Sequence, residues 1–369
     1  MQKNSNLKIA IDARELQKNI LTGIARFLKN FLDNIEIDKN IFLCIDKNTS
    51  VNSYEEKFSI LKASGILSFW YDQINLRNFL KKYKIDIFFS PYYKMPFFSS
   101  CKKIITIHDL YFLRPILRKG LNRFKPFIFY LKKAINLADK IITVSQYSKE
   151  EIIKTFDIEK EKVKVVYNCV GKIFKKVEQD RSKYIAKKYK IDKPYILYVG
   201  NFYPHKNIKG LLKAFLIFLK EFSKSYKLVI IAKKNKFFKD IYRYAKEIKV
   251  SDYVIFLDFV SDEELVYFYN FADIFVLPSF YEGFGLTALE AIACGNVVAV
   301  SNIGSLKEIF ADAVVYFDPY NPKDIFEKMV MLIKDEKLKC TLKEKSINLI
   351  AKFSVENFSS KLLEEIKNV

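Results

Sequence analysis

The sequence predicts an α/β protein of two similar halves, each a parallel sheet covered by helices on both faces. Three observations carry this. Short runs of branched and aromatic residues recur along the chain, with stretches of helical spacing between many of them. That alternation implies parallel sheets buried on both sides. The rhythm restarts after a polar, charged stretch around residues 175–189. Finally, 369 residues is long for one core, and 50% of them are hydrophobic, enough to fill two.

In the first half, an apolar strand at 7–11 ends in Asp12-Ala13-Arg14. A loop at 19–22 leads to Gly23, and residues 24–32 have helical spacing. Further strands are expected at 41–45, 85–89, 104–107 and 141–144, with helices near 74–83, 121–137 and 148–156. Ser148 and Glu151 form a capping box for the last of these. A strand at 163–167 closes the unit. The second half opens with a strand at 195–199 that ends in Gly200, then a helix over 207–222. Strands follow at 228–231, 254–257, 274–277, 297–300 and 314–317. One intervening helix is capped by Ser261 with Glu264. Residues 355–366 are helical in pattern. In such sheets, ligands sit at the carboxyl ends of the strands.

The net charge is +21 and is unevenly spread. Residues 1–178 hold 33 basic and 18 acidic side chains, an excess of 15. From Lys94 to Lys133 there are ten Lys or Arg and one acid, Asp109, with aromatics such as Phe97, Phe98, Tyr111, Phe124 and Phe129 threaded through. Cations among aromatic rings suit an anionic membrane surface. No recognised nucleic-acid motif accompanies the charge, so a nucleic-acid partner is not expected. The five cysteines are scattered and form no C-x-x-C pair, which indicates neither a zinc site nor a disulfide framework. No apolar run approaches the ~18 residues of a membrane span. The N-terminus lacks the apolar core of a signal peptide, so the expected location is cytoplasmic, peripheral at the inner face of the plasma membrane.

The most informative stretch is 274–296, IFVLPSFYEGFGLTALEAIACGN. A buried strand feeds a glycine-containing loop, and the loop feeds a helix whose free N–H groups face the strand's end. Unpaired amides and the positive end of a helix dipole collect anions at one spot. Glu282 and Glu290 flank that spot with seven residues between them. Amides suit phosphates and carboxylates suit sugar hydroxyls, so the stretch reads as a nucleotide-sugar site. Glu-x7-Glu inside EGFGLTALEAIACG, after ADIFVLPS and before a second glycine loop at 301–305, resembles the donor motif of the retaining family-4 glycosyltransferases.

That resemblance implies the GT-B fold: two Rossmann-like domains facing each other across a cleft. The first, acceptor-side domain would be 1–178 and the donor domain 179–350, with 351–369 crossing back to the first. It assigns Glu282 to the sugar hydroxyls and Glu290 to the ribose. Gly283, Phe284, Gly285, Leu286 and Thr287 would line the sugar and diphosphate, and Val260 would lie near the base. The family often has a glycine near Asp258, which is absent here. His108 resembles the first-domain histidine beside the donor sugar, and Asp109 would orient it. Residues 200–207 read GNFYPHKN. Lys206 matches the family's diphosphate lysine, while Asn201 and His205 stand where basic residues are common. Gly23, in Thr22-Gly23-Ile24-Ala25-Arg26, resembles the loop where backbone approaches the phosphates, with Arg14 and Asp109 as phosphate or acceptor-side contacts.

The implied chemistry is sugar transfer with retention from a nucleotide sugar to a glycan or polyprenyl-linked acceptor, in assembly of a surface polysaccharide. Asn207 leans towards mannosyl-type members that use a GDP-sugar. No D-x-D metal motif occurs, and the resemblance implies no metal or other cofactor, with Lys206 and the helix end stabilising the leaving diphosphate. Two rivals stand beside it. A sugar-nucleotide epimerase of related fold would turn over the donor without an acceptor. A basic, non-enzymatic nucleic-acid-binding protein would bind with steep salt dependence and ignore nucleotide sugars.

Overall fold

A computed structural model of the protein describes residues 7–17, 22–62, 71–113, 125–178, 182–191 and 194–369. Among these, seven strands form the first sheet: β1 (Ile9–Asp12), β2 (Ile41–Ile45), β3 (Ser59–Lys62), β4 (Ile87–Ser90), β5 (Lys102–Thr106), β6 (Lys140–Thr143) and β7 (Val163–Val165). They lie in the order β3-β2-β1-β4-β5-β6-β7, and all pair in parallel. Six more form the second sheet: β8 (Tyr195–Asn201), β9 (Lys227–Lys233), β10 (Val254–Leu257), β11 (Ile274–Leu277), β12 (Val298–Ser301) and β13 (Val315–Phe317). Their order is β10-β9-β8-β11-β12-β13, again parallel. Central strands such as β1, β4 and β11 are buried at every position, which is why they read as continuous apolar runs rather than alternating ones.

The helices α1 (Gly23–Asn34), α2 (Arg77–Lys82), α3 (Lys125–Leu137) and α4 (Gln146–Phe156) accompany the first sheet. With the second go α5 (Ser182–Tyr189), α6 (Ile208–Glu221), α7 (Phe238–Glu247), α8 (Asp262–Phe271), α9 (Leu286–Ala293), α10 (Gly304–Phe310), α11 (Pro322–Lys334) and α12 (Glu336–Lys352). The last helix is α13 (Val355–Lys367). The chain divides into two compact units, Met1–Cys169 with Ser354–Val369, and Val170–Phe353. The division falls before Val170, whereas the sequence places it after residue 178.

α13 is part of the first unit because of its apolar stripe. Val355, Phe358, Leu362 and Ile366 are buried, and Phe358 meets Phe27 of α1 edge-on at 4.9 Å. The ammonium of Lys140 closes the contact. It donates to a carboxylate oxygen of Glu365 at 3.0 Å and to the carbonyls of Glu365 and Asn368 at 2.7 and 2.8 Å. All three of its N–H groups are thus used, which is what lets a lysine sit buried.

Several local expectations change. β3 has no counterpart in the sequence reading: SILK is a short edge strand with one buried residue, too weak a pattern to stand out. The helix expected to start at Ser148 starts earlier. Ser145 is the N-cap, and its Oγ accepts from the Ser148 N–H. Ser261 does cap α8, accepting from the Glu264 N–H, but Glu264 does not complete a box. Its carboxylate is taken by Lys188 and Tyr189 on α5. The loop expected from residue 19, Phe124 and the first residues of the helix expected at 121–137 fall outside the described residues, as does part of the stretch at 175–189. The five cysteines are free, four of them buried. No helix among the described residues is long and apolar enough to cross a membrane.

Candidate functional site

Both sheets reverse their strand order once, between β1 and β4 in the first unit and between β8 and β11 in the second. At such a switch point the loops leave in opposite directions and open a crevice at the carboxyl ends of the strands. In the second unit those loops carry Lys206 after β8 and Glu282 after β11.

The approach to Lys206 is shaped by tight local packing. A Cβ on Gly200 would lie 2.5 Å from the hydroxyl of Tyr198, which donates to the Asn201 carbonyl. The Asn201 side chain accepts from the Tyr203 N–H at 3.0 Å and so serves the turn. A 3-10 turn, Pro204–Lys206, follows, and Asn207 caps α6 from the left-handed region at φ 54°. The side chain of His205 is buried, and burial, with Lys206 beside it, lowers its pKa to about 3. It is neutral and adds no positive charge. Its carbonyl accepts from the Phe280 N–H at 2.7 Å, tying the loops after β8 and β11 together.

Glu282 is held by three side chains. Lys206 Nζ and Ser279 Oγ both donate to its Oε1, at 2.6 and 2.7 Å, and Ser305 Oγ donates to its carbonyl at 2.6 Å. Ser279 and Ser305 are buried. Oε2 is left without a partner among the described residues. Lys206 uses one of its three N–H groups here. Three residues on, Gly285 is the N-cap of α9 at φ +88°, with no side-chain cap hydrogen bond. A Cβ there would fall 2.6 Å from Leu306 and 3.0 Å from Phe310, so both backbone and packing demand glycine. The Leu286 and Thr287 N–H groups find no acceptor among the described residues, a helix end open to an anion.

Glu290 lies one turn further along α9 and is 1% exposed. Its Oε2 accepts from the Tyr269 hydroxyl of α8 at 2.9 Å. Val260 is buried at the turn before α8, next to the exposed Phe259. The Asp258 carboxylate accepts from the Lys234 N–H and so joins the loops after β9 and β10.

In the first unit, His108 follows β5. Burial lowers its pKa to about 4, and the neutral ring donates through Nε2 to the Pro91 carbonyl at 2.9 Å. Nδ1 is thereby an acceptor. Phe27 packs edge-on against the ring at 5.0 Å. Asp109 does not orient the histidine, contrary to the sequence expectation: its carboxylate accepts from the Tyr111 N–H two residues on. Arg14 is likewise committed. Its guanidinium grips both oxygens of Asp12, at 2.8 and 2.5 Å, and reaches Asp72 at 2.6 Å. Burial still pushes the Asp72 carboxyl up to about 6 against that pull. Arg14 therefore braces the end of β1 and is not presented as a free cation. Gly23 begins α1 beside the Thr22 cap. A Cβ on it would meet no described atom within 4 Å, so packing does not explain the glycine.

Sequence reasoning missed Ser279, Ser305 and Tyr269. The first two stand at or beside motif positions, but a serine near a carboxylate has no spacing signature. Among the described residues, no three His, Cys, Asp or Glu side chains are grouped as metal ligands.

Two doubly wound units, the second with a Glu-x7-Glu loop and open helix end at its switch point, define the GT-B class. Anabaena HepE, solved in complex with UDP and glucose, has the same fold: TM-score 0.80 at 16% identity, covering 98% of this chain and 100% of that one. Residues 180–349 match the model for glycosyl transferases group 1, and residues 51–171 match that for glycosyltransferase family 4. The chain belongs to the family-4, group 1 glycosyltransferases. Among curated relatives, the serotype-specific mannosyltransferase WbdA of Escherichia coli is 31% identical over 271 residues, 71% of this chain. The match spans about a third of the length of that relative, 33%. The O-antigen chain mannosyltransferase B of Escherichia coli is 27% identical over 289 residues, covering 78% of this chain and 76% of the relative.

Proposed function

We propose that the protein transfers a sugar, with retention, from a nucleotide-sugar donor to a glycan or polyprenyl-linked acceptor in cell-surface polysaccharide assembly. The observation that carries this is the Glu282 carboxylate. Lys206 and Ser279 fix one oxygen and leave the other as an acceptor, beside the uncapped start of α9. A carboxylate held in one orientation suits the hydroxyls of a sugar, and amides with a lysine suit its diphosphate.

On this reading Lys206 and the α9 amides stabilise the leaving diphosphate without a metal. Glu282 orients the sugar and does not attack it. The departing phosphate itself takes the acceptor's proton as the acceptor oxygen arrives on the same face, which retains configuration. Glu290, held by Tyr269, binds the ribose, and Val260 lies by the base. In the first unit, Gly23, where a Cβ would meet no described atom within 4 Å, suits an approach of phosphate to the backbone. Neutral His108 offers Nδ1 as an acceptor suited to a sugar hydroxyl. The names of the relatives, O-antigen and serotype-specific mannosyltransferases, and Asn207 after the lysine favour mannose from a GDP-sugar. The enzyme would work in the cytoplasm at the inner face of the plasma membrane.

Thermal-shift measurements with UDP, GDP, ADP and their sugars, with and without EDTA, test this on wild type and Glu290→Ala. The expected result is selective stabilisation by the guanine compounds, unchanged by EDTA and weakened in the variant. Stabilisation by a different base would overturn the donor assignment alone. No stabilisation of the folded protein by any of them would remove the donor reading.

A further inference from the structure

The turn after β10 reads Asp258-Phe259-Val260, an acid and a ring where the resembled family often has a glycine. Sheet order places this turn. From β8, whose following loop carries Lys206, the sheet runs outward through β9 to β10. The end of β10 therefore lies two strands, about 10 Å, from that of β8. A nucleotide with its diphosphate at Lys206 and the start of α9 reaches a comparable distance to its base. The turn is also held in place. Val260 is buried, Ser261 caps α8, and one oxygen of the Asp258 carboxylate accepts from the Lys234 N–H at 2.8 Å. Its second oxygen has no partner among the described residues, and a carboxylate offers about four lone-pair sites. Lys234 and Lys236, in the facing loop, do not take them up. Their ammonium groups lie over the rings of Phe238 and Phe237, at 5.1 and 5.0 Å. Beside the acid, Phe259 is 66% exposed. A free ring face next to an unspent carboxylate is the pairing that meets a base, the ring by stacking and the acid at the base's edge.

We infer that Asp258 is the residue that selects guanine as the base of the donor, with Phe259 as its stacking surface; this rests on the nucleotide-sugar reading proposed above. Guanine presents two adjacent donors on one edge, N1–H and the 2-amino group, and a carboxylate accepts both in a bidentate contact. Uracil flanks its one N–H with two carbonyl oxygens, which a carboxylate repels. Adenine sets its amino group beside a ring nitrogen that is itself an acceptor. The Lys234 N–H restrains the carboxylate and uses one lone pair, so two remain for the base.

The test is calorimetric titration of the full chain with GDP, UDP, ADP, inosine diphosphate and xanthosine diphosphate, for wild type and Asp258→Asn. Inosine diphosphate lacks the 2-amino group, and xanthosine diphosphate has a carbonyl in its place. Wild type is expected to bind GDP about tenfold tighter than inosine diphosphate, and tighter than UDP or ADP. Asparagine keeps an oxygen for N1–H and the Lys234 N–H but turns a donor towards the 2-position. The variant is therefore expected to lose about tenfold for GDP and to gain for xanthosine diphosphate, a reversal that a purely structural role would not produce. If the variant misfolds, the wild-type comparison of GDP with inosine diphosphate still decides. Wild type that binds GDP no tighter than inosine diphosphate or UDP overturns the inference and leaves the donor reading standing. So does a variant that weakens every nucleotide equally, which would make Asp258 a brace between the loops after β9 and β10. Folded wild type that binds none of the five overturns the inference and the donor reading together.

Discussion

At Glu282, two donors converge on Oε1 while Ser305 holds the backbone of the same residue. A hydrogen bond to a charged group contributes about 1.5–3 kcal/mol, so the contribution of Ser279 is measurable. Ser279→Ala is expected to lower kcat/KM for transfer about tenfold or more by this reckoning, with the fold intact by circular dichroism. An unchanged rate would mean that Lys206 alone orients the carboxylate. His108 bears on stability through pH. Its folded pKa is about 4, below the ordinary 6.5, because burial disfavours the charged ring. The unfolded chain takes up a proton near 6.5 that the folded protein refuses until about 4. The stability contribution is therefore present above 6.5 and lost as pH falls towards 4. His205, lowered to about 3, acts in the same direction. Asp72, raised to about 6, acts oppositely, losing stability as pH rises towards 6. Comparison with His108→Gln isolates the one group. The melting temperature of wild type relative to the variant is expected to fall between about pH 7 and about pH 4.5. A flat difference would contradict the burial of the ring.

Among the elements, α1 starts with a glycine and α9 is capped by one, for opposite reasons. Gly285 has φ +88° and neighbours that a Cβ would strike. Gly23 has neither a positive φ nor a described neighbour within 4 Å. Gly285→Ala is expected to cost about 1–2 kcal/mol from the backbone alone, plus the overpacking against Leu306 and Phe310. Gly23→Ala is expected to leave the unfolding midpoint in urea unchanged and to weaken donor binding, measured by calorimetry. If Gly23→Ala instead lowers the midpoint and spares binding, the glycine serves the fold. Elements also differ in how far the sequence showed them. The strand, loop and helix at 274–293 were legible because β11 is buried at all four positions and Gly285 breaks the run. β3 and the start of α4 were not. One is an edge strand with a single buried residue, and the other is capped by a serine that reads as the end of β6.

For the molecule as a whole, the proposed donor site draws on loops far apart in sequence within the second unit. Nucleotide binding therefore has a spatial signature. Hydrogen exchange with GDP present is expected to slow at residues 200–206 and 279–290 and to stay unchanged at β2 and β3. A ligand at 100 times its Kd stabilises by about 2.7 kcal/mol, enough to register. Uniform slowing over both units would argue against a local site. The sequence by itself determined the α/β class, the two halves, the Glu-x7-Glu loop and the basic, aromatic first half, because these are written in local period, glycine punctuation and charge. Only tertiary structure decided what each charged or polar group faces. Residues 58 positions apart make the Arg14–Asp72 pair, and residues 76 apart make Lys206–Glu282. His205 is neutral rather than cationic because it is buried. Partnership and burial arise when strands distant in the chain become neighbours in a sheet, and one-dimensional spacing carries no record of that.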